Sequence, residues 1–258
     1  MATSMTLSQL MSATRQRADM FPVGYTPSLT NTDYFVTDPE LISYINQSYF
    51  ELYDLLVTTY EDYYVADPLI IPTDGTTNLY PLPDGVLYSA AKEFYKVLGV
   101  DLGLNNSGNA FVTLKKFDFI GRNRYLYPQL TSTYLGVFNL RYRVVGNNLM
   151  LIPTPSAGQY IRMWYIPRMQ TLTALADVAD GVSGWTEYII TDAAIKCAQK
   201  EETDVTVLAM QKAALIKRIE ETAMNRDAGQ PDTISNVRSQ LERWGGDFGT
   251  GNTPMGGY

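Results

Sequence analysis

The sequence predicts an α+β protein: a helical bundle built from N- and C-terminal helices, with an inserted antiparallel β-module and an extended C-terminal tail. Three observations carry this. Apolar residues recur at helical spacing before about residue 60 and again beyond Gly181. Between Val65 and Leu175 the spacing changes, and β-branched and aromatic segments lie between Gly, Asn and Pro clusters. Residues 228–258 have no core pattern, and six glycines fall between Gly245 and Gly257. The expected divisions are 1–64 (N-terminal helices), 65–180 (β-module), 181–227 (C-terminal helical hairpin) and 228–258 (tail).

Taken in order, Thr6 opens a T-x-x-Q capping box with Gln9, and Leu7, Leu10, Met11, Thr14 and Ala18 continue one helical face to about Asp19. Pro22, Gly24 and Pro27 mark residues 21–35 as a loop. A second capping box, Thr37-Asp38-Pro39-Glu40, starts a long helix whose inner face holds Leu41, Ile45, Tyr49, Leu52 and Leu56. Strands are expected at 97–104, 111–119, 140–145 and 149–152, the last two joined by a tight turn at Gly146-Asn147-Asn148 with positive φ angles. A further strand at 159–166 is expected to complete a meander, and a short helix is expected within 85–96. Trp185, Ile189, Ala193 and Cys197 then start a helical hairpin, with Asp204 capping the helix of Val205, Leu208, Leu215 and Ile219.

Composition bounds the chemistry. The 258 residues are 45% hydrophobic, enough for a sizeable core. A formal charge of -7 and a pI near 4.7 argue against a DNA reader, because counterion release needs clustered Lys and Arg. Apolar runs fall far short of the roughly 20 residues that a spanning helix needs, so no membrane span is expected. Met1 to Leu10 carries no basic segment leading into an apolar core, so synthesis in a cytoplasm is expected without a secretory signal.

The chain has no histidine, which removes the usual general base near neutral pH and the commonest metal ligand. Its single cysteine, Cys197, falls on an apolar helix face and reads as a core residue. Paired acids such as Glu61-Asp62 and Glu201-Glu202 sit on single elements and cannot flank one glycosidic bond. Gly99 to Gly103 and Gly245 to Gly251 lack the strand-to-helix context and G-K-[ST] ending of a phosphate cradle. No catalytic residue, cofactor or metal is therefore expected.

Two sets of residues remain as candidate contacts. Lys115, Lys116, Arg122 and Arg124 form a modest basic cluster near Tyr125 and Tyr127, suited to a solvated face, an acidic neighbouring subunit or a phosphate backbone. In the tail, Leu241, Arg243, Trp244, Phe248 and Tyr258 have no local core to enter; they belong either to a disordered terminus or to an anchor that inserts into a neighbour's pocket. Nineteen tyrosines supply stiff contact area with polar tips, which suits wet interfaces or sheet faces.

The run from Arg141 to Pro167, a hairpin ending in Pro153-Thr154-Pro155 followed by a strand ending in Trp164-Tyr165-Ile166-Pro167, resembles the head-to-tail adaptor (connector) proteins of tailed bacteriophages. The helices expected at 7–17 and 41–56, and the one starting at Trp185, are similar to that pattern. The resemblance implies a structural subunit of the virion neck, commonly in a twelve-fold ring with copies of itself, with portal and tail proteins as partners and DNA passing through without specific binding. A tail-tube or tail-completion component is one alternative. A carbohydrate-binding or glycan-cleaving tail protein, using the tyrosine-rich β-module, is another.

Overall fold

Both capping boxes form. In the computed structural model, which describes residues 4–88, 91–103, 110–125, 140–179 and 185–225, Gln9 N–H donates to Thr6 Oγ1 at 3.3 Å while the Gln9 side chain accepts from Thr6 N–H at 3.0 Å. Thr37 and Glu40 repeat the exchange. These boxes satisfy orphan donors at the starts of α1 (Leu7–Arg17) and α2 (Asp38–Thr59). After the β-module come α3 (Thr186–Lys200) and α4 (Thr206–Met224). α4 starts one residue later than expected, at Thr206, whose N–H donates to Asp204 Oδ1 at 2.9 Å, the side-chain cap expected of Asp204.

The helical core collects Leu7, Leu10 and Met11 of α1, Leu41, Ile45, Leu52 and Leu56 of α2, and Ile189, Ala193 and Cys197 of α3. Only Ile219 and Ala223 of α4 are buried, so this helix covers the bundle from outside. Asn46 of α2 clamps the strand-to-helix connection: its Nδ2 donates to Leu172 O at 3.0 Å and its Oδ1 accepts from Leu172 N–H at 2.9 Å. The start of the chain is sewn to the same connection by Leu7 N–H to Asp177 O and Ala179 N–H to Met5 O.

Among the described residues, eight strands make two four-stranded sheets. One has the order β1 (Leu69–Pro72), β8 (Tyr160–Pro167), β3 (Phe94–Gly103), β4 (Phe111–Thr113); the other has β2 (Leu79–Pro81), β7 (Asn148–Ile152), β6 (Arg141–Val145), β5 (Lys115–Lys116). Pairing is antiparallel except between β5 and β6. Val100, Leu102, Ile161 and Met163 of the first sheet meet Tyr80, Tyr142, Leu149 and Leu151 of the second in a separate apolar core. On β8 the alternation sends Ile161, Met163 and Tyr165 into that core while Ile166 reaches the helical one, so a single strand ties both layers together.

Four expectations are corrected. The strand 159–166 does not complete a meander with 149–152: β8 crosses to the other sheet and pairs with β1 and β3. Pro153 and Pro155, which lack N–H donors, end the ladder and release the chain. The stretch 111–119 is not one strand. It divides at Leu114, which is buried between the sheets and donates to Val100 O at 2.8 Å before the chain joins the second sheet. No helix forms among the described residues of 85–96, where β3 already begins at Phe94. In the β6–β7 turn only Gly146 takes a positive φ (57°), and Asn147 and Asn148 do not.

Candidate assembly surfaces

The helical layer buries charge in pairs. Arg15 Nη2 donates at 2.7 Å to both Asp38 Oδ1 and Val36 O, and its guanidinium stands over the rings of Tyr25 and Tyr34, which touch edge to face. Tyr25 OH donates to Asp38 Oδ1 at 2.9 Å, and Ser28 N–H donates to Oδ2 at 3.2 Å. Burial pushes the Tyr25 phenol up to about 12, which keeps it a donor. This cluster fixes the irregular loop between α1 and α2, which presents Phe21, Val23, Leu29 and Phe35 to solvent.

A second cluster mounts α4. Lys196 and Lys212 each donate at 2.6 Å to the buried Asp192 carboxylate, and both also reach Glu51 of α2. Burial alone would pull Lys212 down and push Asp192 and Glu51 up. The ion pairs outweigh it, so Lys212 is raised and both carboxylates are lowered. In the β-module, Asp101 accepts from Arg162, Trp164 Nε1 and Thr113 Oγ1 on the outer face of the first sheet. Each of these clusters orients an element through hydrogen bonds among its own charged and polar groups. Burial pushes the Cys197 thiol up to about 11, consistent with a core residue.

The seam between the layers holds a groove of about 680 Å³ lined by Tyr49, Tyr53, Tyr64, Met169 and Leu172, with Arg168 paired to Glu93 on its rim at 2.8 Å. Tyr53 OH donates to Pro167 O, and Tyr95 OH donates to Asp54 at 2.6 Å, so the seam is itself braced. Among the described residues no set of three His, Cys, Asp or Glu is placed to hold a metal ion, and no helix is long and apolar enough to cross a membrane.

The predicted basic residues come together on one edge. Lys115 and Lys116 are exposed on β5, and Arg122 lies in the 3-10 turn Arg122–Tyr125 with its guanidinium over the Phe119 ring. The side chain of Arg124 lies outside the described residues. The structure adds Arg141 and Arg143, which pair with this edge through β6. Arg143 stands over Phe119 and donates to Phe117 O, and Arg141 stands over Tyr125. Sequence reading missed these two because β5 and β6 pair in parallel across 24 intervening residues, a contact with no local signature. Their alternation in Arg141-Tyr142-Arg143 was the available signal. Phe119 and Ile120 are exposed beside them. The tail anchors Leu241, Arg243, Trp244, Phe248 and Tyr258 lie outside the described residues.

The described residues thus hold internal charges that brace the fold and leave basic and apolar groups at the rims. The family model for the SU10 adaptor protein matches residues 5–240, spanning both helical ends and the whole β-module. The chain belongs to the SU10 adaptor protein family. The match bears out the resemblance to phage head-to-tail adaptors read from Arg141 to Pro167 and from the helices on either side of the β-module. No curated protein matches it significantly. As an adaptor it is a structural phage protein, and the rims are where its partners are to be sought.

Proposed function

We propose that this adaptor subunit assembles with copies of itself into a ring between portal and tail, in the neck of the virion, and continues the DNA channel. The family match over residues 5–240 carries the reading. On this reading the protein acts by assembly alone, with no catalysis and no cofactor, and a twelve-fold ring is the working stoichiometry. The acidic balance of -7 supports a duct, because a negative lumen repels DNA in transit. Residues 1–64 and 181–227 form the bundle, 65–180 the inserted module and 228–258 an extension.

The extension is the proposed anchor. Leu241, Arg243, Trp244, Phe248 and Tyr258 engage portal or a neighbouring subunit, where burying two aromatic side chains contributes roughly 3 to 6 kcal/mol before ordering costs. The test mixes full-length chain and chain lacking 240–258 with portal protein and compares ring occupancy by electron microscopy. Full-length rings on portal with markedly reduced occupancy for the truncated chain are expected. No ring from the full-length chain would overturn the ring reading, and equal occupancy would overturn only the anchor.

A further inference from the structure

The two lateral edges of the β-sandwich differ in charge. Strands β4 and β5 are consecutive in sequence, separated by Leu114 alone, and stand at the edges of different sheets, so these two edges adjoin. Strands β1 and β2 are the remaining edges and close the opposite side, with Ile71 and Tyr80 in the shared core. Residues 115–125 on the first side contain Lys115, Lys116, Arg122 and Arg124 against Asp118, a formal +3. Residues 66–84 on the second contain Asp67, Asp74 and Asp84 and no cation, a formal -3; the chain has no Lys or Arg between Arg17 and Lys92.

Each edge also carries uncovered apolar groups: Phe119 (42% exposed) and Ile120 (88%) on the basic side, Ile70 (54%) and Leu79 (45%) on the acidic side. Among the described residues, each is closed by strands that have a neighbour in their sheet on one side only. Lysines on an edge strand normally deter pairing. They cease to do so for a partner whose own edge is acidic.

We propose that copies of this chain join head to tail through opposite edges of the β-sandwich, the basic β4–β5 edge of one copy seating on the acidic β1–β2 edge of the next. A two-fold contact would set like charge against like on either edge, which costs free energy, so the charge pattern selects the heterologous contact. The two edges lie on opposite sides of one β-sandwich, so a copy that receives the contact on one side can pass it on from the other. A nucleic-acid partner would account for the basic edge but leave the acidic one unexplained. The inference rests on the ring reading and gives it a contact.

The experiment uses the full chain, native mass spectrometry and two variants, Lys115→Glu/Lys116→Glu, which turns the basic edge acidic, and Asp67→Lys/Ile70→Lys/Leu79→Lys, which turns the acidic edge basic, all at exposed positions, with thermal melts confirming the fold. Wild type is expected to oligomerise, and each variant alone to associate at least tenfold more weakly. An equimolar mixture is expected to recover assembly, because every contact in an alternating ring is again between opposite charges. Variants that assemble like wild type, or a mixture that stays monomeric, would overturn the edge contact while leaving the ring reading intact. Loss of duplex DNA binding by Lys115→Glu/Lys116→Glu with assembly unchanged would also overturn it, assigning the basic edge to nucleic acid. A wild type that is monomeric both alone and with portal protein would remove the ring reading too.

Discussion

In the helical layer, charged groups are brought inside and neutralised: Arg15 and Asp38 are 3% and 0% exposed at their side chains, and Asp192 is enclosed by two lysines. In the β-module the core holds apolar side chains and tyrosines, Asp101, the one buried carboxylate among its described residues, is covered by Arg162 on an outer face, and charges of opposite sign stand on opposite edges. A buried ion pair ties its partners to one geometry, since removing either leaves an uncompensated charge. A rim charge costs little to keep and influences what approaches. The two regions thus divide the work on the reading proposed above: the helices fix the subunit, and the edges of the sandwich meet its partners.

The sharpest way to break this comparison is at Arg15. Arg15→Ala should cost about 3–5 kcal/mol, because Asp38 loses its ion pair without access to water, and the loop carrying Phe21 and Val23 should loosen. Denaturant unfolding measures the loss, and hydrogen exchange at residues 20–37 locates it.

The α4 mounting should respond to acid. Glu51 and Asp192 have folded pKa values below their unfolded ones, so their contribution is present above the unfolded carboxylate range, about 4, and is lost as pH falls through the folded values. Below about pH 4, exchange protection of α4 should drop before that of α2. Asp192→Ala should reproduce this at neutral pH at a cost of about 2 kcal/mol, less than a fully enclosed pair because both lysines are partly exposed.

In the β-module, Gly146→Ala should cost about 1 kcal/mol, since Gly146 holds φ at 57° and a Cβ there meets nothing within 4 Å. Asn147→Val, with no positive φ to lose, should cost less than Gly146→Ala in a thermal melt. Smallest of all in stability, Lys115→Glu/Lys116→Glu should shift unfolding by no more than about 0.5 kcal/mol, although it reverses an edge on which assembly is proposed to depend.

The helices were legible because their signals are local: Thr6 with Gln9 and Thr37 with Glu40 span one turn each, and Leu41, Ile45 and Leu52 mark one face. The β6–β7 hairpin was legible for the same reason. The crossing of β8 to the first sheet was not, because the alternation in Ile161-Arg162-Met163-Trp164-Tyr165 states which face is inward but not which strand is adjacent. The basic edge was half legible. Lys115, Lys116 and Arg122 stand close in sequence, but Arg141 and Arg143 reach them only through a parallel pairing that nothing local encodes. The acidic edge needed the sheet order before Asp67, Ile70 and Leu79 could be placed together.

The division between a bracing helical layer and adhesive sandwich edges is tested most directly by hydrogen exchange on the full chain before and after assembly with portal protein. Residues 66–82 and 111–123 should gain protection on assembly while the inner faces of α2 and α3 stay as they were. Gains confined to α1 through α4, with both sandwich edges unchanged, would contradict it.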